Sequence, residues 1–308
     1  DKAVEAITRL IHDFPNSRLL DKAHYRLGEY QSARNDYAAA EKAYAELVQR
    51  WPTSPLAPHA LHELGCAQLA RKDAAAAEKT LTTYLDKYPK HEVALRVRYV
   101  RGLARQQLKN YAPAAEDLHA VLSGKPPADL QADASYVLGL CQLGLEQNGA
   151  AAATLSNLLE TTADYAGAEN ARYQLAWALL LDGQREEAVA QFARLAKDSP
   201  KSGLAAEAQH HIGEFFYDKK DYDKAAVAYY DAMEAAGKSP LGEKAAHKLG
   251  WSYYHKKDYP GALQTFDYQA KTFSDGPLRA DAQFMVAECL YEQEKYAEAL
   301  TAYAAVEG

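Results

Sequence analysis

The stretch from His247 to Phe266, HKLGWSYYHKKDYPGALQTF, carries the pattern that decides the fold. A small residue, Gly250, is followed twelve positions later by Ala262, and one helical turn after that by the large Phe266. Asp258, between the two small residues, is a preferred N-cap for a helix that starts after it. The stretch therefore predicts two helices joined by a tight turn, with the small residues where the helices touch.

The same pattern recurs every 37 residues from one end of the chain to the other. The first column of small residues contains Gly28, Gly65, Gly102, Gly139, Ala176, Gly213, Gly250 and Ala287. The second contains Ala3, Ala40, Ala77, Ala114, Ala151, Ala188, Ala225, Ala262 and Ala299. The large column contains Ile7, Tyr44, Leu81, Leu118, Leu155, Phe192, Tyr229, Phe266 and Tyr303. A fixed period of this length is typical of a repeat protein.

Start and stop signals divide each repeat into helix A, a turn, helix B and a loop. An N-cap residue precedes helix B at Asp36, Asp73, Asn110, Asp221 and Asp258. Proline ends helix B at Pro15, Pro52, Pro89, Pro126 and Pro200. Ser54-Pro55 and Ser239-Pro240 predict a serine N-cap with proline at the first position of helix A. We expect eight A helices, nine B helices and no strand, in one solenoid over residues 1–308 with partial repeats at both ends, as in a piece of a longer protein.

Composition and charge exclude several classes of protein. The net charge of −7 argues against nucleic-acid binding, which needs an excess of Lys and Arg. No stretch of 18 apolar residues could span a membrane. The chain begins with Asp1 rather than Met, so we expect that a targeting segment was removed. Cys66, Cys141 and Cys289 are far apart and are expected to be small buried side chains.

These columns resemble the tetratricopeptide-repeat (TPR) signature, W-x2-L-G-x2-Y, then A-x3-F, then P. The Leu-Gly pair stands at Leu27-Gly28, Leu64-Gly65, Leu138-Gly139 and Leu249-Gly250, and A-x3-F stands at Ala188–Phe192 and Ala262–Phe266. The resemblance implies an all-α, right-handed superhelix of antiparallel helix pairs that binds proteins or peptides. The chain departs from the family in its three extra residues per repeat and in the absence of the signature Trp.

Two segments resemble a subset of this family. The segment Arg50–Pro55 (RWPTSP) and the triplet Lys87-Tyr88-Pro89 are similar to bacterial cell-envelope TPR proteins. Examples are the lipoprotein of the outer-membrane barrel-assembly machinery and the periplasmic protein associated with the Tol-Pal system. The resemblance implies a bacterial periplasm or cell envelope, with the cytoplasm as the alternative.

No catalytic, nucleotide-binding or metal-binding motif stands out in the sequence. We therefore expect no enzyme activity, no cofactor and no metal, and the first hypothesis is a scaffold for protein or peptide partners. A second is the regulatory or anchoring region of a larger enzyme whose catalytic domain lies elsewhere. A third is a structural spacer or self-associating module, because a fold alone does not fix function.

A run of arginines interrupts the third full repeat. Arg98, Arg101 and Arg105 lie on its helix A, and Arg101 occupies a column that elsewhere holds Leu, Ile or Val. One interpretation is that Arg101 pairs with Glu116 or Asp117 and bridges helices. The other is that these arginines contact an anion or an acidic partner.

Aromatic and histidine side chains recur on the A helices of the C-terminal half. In TPR proteins helix A lines the concave side, so the resemblance implies a ligand surface there. The candidates are Tyr173, Trp177, His210, Glu214, Tyr217, His247, Trp251, Tyr254, His255 and Tyr291. Large aromatics are enriched at binding hot spots. The alternative is that these rings pack neighbouring A helices together, and the exposure of the rings distinguishes the two.

Overall fold

The computed structural model describes residues 2–306, which form seventeen α-helices and no β-strand, as the repeat predicts. They divide into two compact units, one ending at Thr162 and the other beginning at Ala163. The first contains α1 Lys2–Asp13, α2 Leu20–Ala33, α3 Tyr37–Arg50, α4 Ala57–Ala70, α5 Ala74–Lys87, α6 Ala94–Gln107, α7 Tyr111–Ser123, α8 Ala128–Gly144 and α9 Asn148–Thr161. The second contains α10 Ala168–Leu181, α11 Arg185–Asp198, α12 Gly203–Asp218, α13 Tyr222–Ala236, α14 Pro240–His255, α15 Tyr259–Thr272, α16 Arg279–Glu292 and α17 Tyr296–Ala304. Even-numbered helices are A helices and odd-numbered helices are B helices.

Every turn from a helix A to a helix B contains one residue in the left-handed region. In the first such turn, Asn35 has φ 61°. The N–H of Asn35 donates a hydrogen bond to the carbonyl of Ser32, and the N–H of Asp36 donates one to the carbonyl of Gln31. This is the Schellman motif that ends many helices. Asp36 then caps α3 by accepting a hydrogen bond from the N–H of Ala39 at 3.1 Å. One aspartate therefore closes helix A and opens helix B.

The predicted caps are confirmed at most positions. Asp73, Asp221 and Asp258 cap their helices as Asp36 does, whereas Asn110 precedes α7 without a side-chain capping bond. Ser239 caps α14, with Pro240 as its first residue. The expectation for Ser54-Pro55 was wrong, because α4 begins at Ala57 and Ser54 lies in the turn before it.

The close contact between helices A and B is confirmed. The alanine column is fully buried from Ala40 to Ala262, and the large column is likewise buried from Tyr44 to Phe266. A Cβ atom added to Gly28 would lie 2.5 Å from Cε1 of Tyr44, and one added to Gly250 would lie 2.6 Å from Cε1 of Phe266. Small residues therefore let a large partner pack directly on the backbone of helix A.

The cysteines do not all follow the prediction. Cys141 and Cys289 are buried, but the expectation for Cys66 was wrong, since this side chain is only half-buried. All three are free thiols. Among residues 2–306, no helix combines the length and the apolar character needed to cross a membrane.

Candidate functional site

The predicted aromatic side chains of the second unit lie on consecutive A helices that contact one another, α10 with α12 and α12 with α14. Most of these side chains are half-buried, while His255 and Tyr291 are exposed. We call the following set the aromatic face. It consists of Tyr173, Trp177, His210, Glu214, Tyr217, His247, Trp251, Tyr254 and His255. Neighbouring rings of this set contact one another, and most of them are partly accessible to solvent.

Trp251 is held in place on α14 by two neighbours on the same helix. Its ring stacks on His255 with centroids 5.5 Å apart, and its Nε1 donates a hydrogen bond to Nε2 of His247 at 3.0 Å. Nε2 of His247 must therefore be unprotonated, and Nδ1 donates to Oε1 of Gln269 at 3.2 Å. Burial lowers the pKa of His247, which favours this neutral form.

Contacts between α12 and α14 continue the aromatic face. The ring of Tyr217 lies 5.7 Å from that of His255, and Nζ of Lys248 lies 5.2 Å above Tyr217. Tyr222, the first residue of α13, stacks on His255 at 5.1 Å. Sequence reasoning missed Tyr222, although the period offers a signal. The same column holds Tyr37, Tyr111, Tyr259 and Tyr296.

A cavity of about 230 Å³ opens beside these rings. The buried rings of Phe192 and Tyr229 form part of its lining, together with His211, Glu214 and Lys248. The cavity therefore offers an aromatic wall next to charged side chains.

His211 and Glu214 are linked in this cavity. The ring of His211 stacks on Phe192 at 5.2 Å and lies 4.8 Å from Trp177. Its Nδ1 hydrogen-bonds Oε2 of Glu214 at 3.1 Å. That bond lowers the pKa of Glu214 against the opposing effect of burial, so the group remains a carboxylate near neutral pH. His211 was missed because its position, next to His210, suggested a side chain facing elsewhere.

Three other predicted residues lie toward the two ends of the aromatic face. At one end, the hydroxyl of Tyr173 donates to Glu207 of the next helix A. At the other end, Tyr254 lies 5.4 Å from Tyr259. Tyr291, one helix A further, pairs with Tyr296 at 5.3 Å.

The predicted arginines surround one buried carboxylate in the first unit. Arg101 makes two hydrogen bonds to Asp117, and Arg105 makes one to Asp117 and one to Glu78. Nη1 of Arg98 lies 3.6 Å from the same carboxylate. The acid that the sequence offered as a partner for Arg101 is therefore in contact with all three arginines.

One group in the first unit has the side-chain types of a metal site. Potential ligand atoms of His62, Glu63 and Cys66 lie within 4.8 Å of one another. His62 and Cys66 stand in the same columns as His247 and Trp251. Glu63 could not be joined to them from the sequence, since adjacent residues of a helix do not share a face.

Two families of proteins match parts of the chain. Residues 18–123 match a family described as an outer membrane lipoprotein, YfiO. Residues 173–240 and 247–308 match a family described as a tetratricopeptide repeat. No curated protein sequence shows significant similarity to the chain.

Solved structures share the fold at low sequence identity. A tetratricopeptide-repeat protein from Parabacteroides merdae is 16% identical, with a TM-score of 0.57 over 88% of this chain and 99% of its own. The C-terminal part of a TPR repeat-containing protein from Cytophaga hutchinsonii is 14% identical, with a TM-score of 0.68 over 84% of this chain and 98% of its own. The apo form of RapI is 15% identical, with a TM-score of 0.65 over 92% of this chain and 86% of its own.

Proposed function

Because the chain is a tetratricopeptide-repeat protein, we propose that it is a non-catalytic scaffold that binds an extended segment of a protein partner along the aromatic face. Stacked helix pairs offer a long surface suited to extended ligands. The observation that carries the proposal is the row of half-buried rings, one of which, Tyr217, also lines the cavity of about 230 Å³. A half-buried ring is held by its neighbours, and its remaining surface is accessible to a ligand.

The composition of the aromatic face suits a binding hot spot. Tyr and Trp bury a large area on binding and lose little rotamer entropy. Trp251 has already lost much of its freedom, because it is stacked on His255 and hydrogen-bonded to His247. A ligand that contacts Trp251 therefore meets a preorganised side chain, which reduces the entropy cost of binding.

The charges around the cavity favour a particular partner chemistry. Glu214 is a carboxylate, whereas Asp218, which also lines the cavity, is already paired with Arg185 at 2.6 Å. An aromatic or apolar side chain of the partner would fill the space against Phe192, and a neighbouring basic side chain would meet Glu214. We propose a segment in which an apolar residue stands next to Lys or Arg.

We also propose that the scaffold acts in the bacterial cell envelope. The match of residues 18–123 to an outer membrane lipoprotein family supports this setting. Fractionation of the source cell would test it, with the protein expected in the envelope or periplasmic fraction. Recovery only with cytoplasmic markers would contradict it.

Capture from the envelope fraction, followed by mass spectrometry, identifies the partner and tests the face. Trp177→Ala and Trp251→Ala should each lower the affinity for the identified partner at least about tenfold, as for a hot-spot residue. Tyr230→Ala is the control, because Tyr230 is an exposed ring on α13 outside the aromatic face. Thermal melts establish that each variant is folded. Equal binding by all three folded variants would contradict the proposal.

A further inference from the structure

Cys66, His62 and Glu63 form a linked set of side chains on α4. Nε2 of His62 lies 3.6 Å from Sγ of Cys66, and Nδ1 of the same ring lies 3.0 Å from Oε1 of Glu63. Both distances are within hydrogen-bonding range, with sulfur allowing the longer one. The order of the contacts is thiol, imidazole, carboxylate.

This order is the arrangement of an activated nucleophile, in which a base contacts the nucleophile and a third group orients the base. Glu63 accepts a hydrogen bond from Nδ1–H of His62, so Nε2 is left to take the proton of the Cys66 thiol. Transfer of that proton leaves the thiolate, which is the reactive form of cysteine.

The two other cysteines lack this environment. Cys141 and Cys289 are fully buried. Burial raises the pKa of Cys141 to about 11 and that of Cys289 to about 12, which disfavours the thiolate. Only Cys66 among the three is half-exposed. It occupies the same position of helix A as Trp177 and Trp251, which belong to the aromatic face of the second unit.

We propose that Cys66 is a reactive thiol and a site of modification by small disulfides, with His62 as its base and Glu63 as the positioning residue. Cys66 gives its proton to Nε2 of His62, and the thiolate attacks one sulfur of the disulfide. A bond forms between Sγ of Cys66 and that sulfur as the original S–S bond breaks. The departing thiolate takes the proton from His62. The disulfide is the oxidant, so no other reagent is required.

The uncharged chromogenic disulfide 4,4′-dithiodipyridine tests this proposal on the purified chain at about pH 6. An ordinary thiol, with a pKa of about 8.5, is less than about 1% thiolate there. Native Cys66 should react at least about tenfold faster than cysteine in the urea-unfolded chain. Peptide mass spectrometry should place the label on Cys66 and leave Cys141 and Cys289 unlabelled. A native rate at or below the unfolded rate would overturn the proposal.

Matched variants of α4 separate the role of His62 from general effects on the helix. His62→Gln should slow the reaction about tenfold, and Glu63→Gln should slow it with an unchanged melting temperature. His59→Gln should leave the rate unchanged, because His59 packs on His91 and does not contact the thiol. If His62→Gln fails to fold, the reaction rate of Glu63→Gln tests the proposal by itself, and an unchanged rate in that variant overturns it. Partner capture through the aromatic face is a separate measurement, so either proposal can fail without the other.

Discussion

Arg101 and Asp117 are joined by two hydrogen bonds, from Nε to Oδ2 at 2.8 Å and from Nη2 to Oδ1 at 2.6 Å. Arg101 stands where other repeats place an apolar residue on helix A, such as Leu64 or Leu138. Asp117 is 2% exposed and also accepts a hydrogen bond from Arg105 at 2.9 Å. In this repeat a buried charge network therefore replaces the apolar side chain of helix A.

Asp117→Ala should lower the free energy of unfolding by about 3–5 kcal/mol, because it leaves guanidinium groups without their buried partner. The double variant Arg101→Leu with Asp117→Ala should recover much of that loss, since Leu is the usual residue of the Arg101 column. Urea denaturation of the two variants and the parent chain measures both effects. A loss below about 1 kcal/mol for Asp117→Ala would show that the network contributes little net stability.

The turns between helices A and B give a second prediction. Gly183 has φ 83°, and nothing lies within 4 Å of a Cβ added there. Gly183→Ala should therefore lower the free energy of unfolding by about 1 kcal/mol, because alanine is strained in the left-handed backbone conformation. Lys257, with φ 63°, occupies the same position two repeats later. Lys257→Gly should stabilise by about 0.5 kcal/mol, since the greater freedom of unfolded glycine offsets part of the gain. Thermal melts measure both, and shifts of the same sign would contradict the explanation.

The 37-residue period predicted the helices and their contacts because helices A and B pack through the same columns of residues in every repeat. A column of Ala facing a column of large residues leaves one way for helices A and B to pack, and the structure has that packing from Ala40 to Ala262. The left-handed turn residue was not predicted. Its column contains Lys, Asn and Glu where glycine would have signalled the conformation, and Gly183 stands there alone.

Features that occur in only one repeat were less predictable. A pattern shared by all repeats does not determine the side-chain conformation of a single residue. Cys66 and His62 share a helix face through their spacing of four. Glu63 joins them only because its side chain turns toward the ring of His62. The half-burial of Trp177 and Trp251 likewise depends on the neighbouring rings. Their role in binding a partner remains a prediction of the sequence and the fold.

The alanine column allows a matched comparison on one helix. Ala151 of α9 is fully buried, whereas Ala153 of the same helix is exposed. Ala151→Leu should destabilise by about 1–3 kcal/mol through overpacking, and Ala153→Leu should change stability by less than about 0.5 kcal/mol. Urea denaturation compares the two. Similar stabilities for both variants would contradict the close contact of helices A and B.

Two half-buried histidines of the second unit should make stability fall in mild acid. Burial lowers the pKa of both His210 and His247. The unfolded chain takes up these protons near pH 6.5, while the folded chain takes them up only at lower pH. The unfolded state therefore binds more protons below about pH 6.5, and stability decreases from there until the pH passes the folded pKa.

His247→Gln tests this prediction, because glutamine can still accept the hydrogen bond from Nε1 of Trp251 but does not titrate. Melting temperatures at about pH 7.5 and about pH 5.5 should differ less in this variant than in the parent chain. His119→Gln is the control, because His119 is exposed on α7; its melting temperatures should change with pH as those of the parent do. If His247→Gln and the parent lose stability equally on acidification, protonation of His247 does not limit the stability of the folded chain in that range.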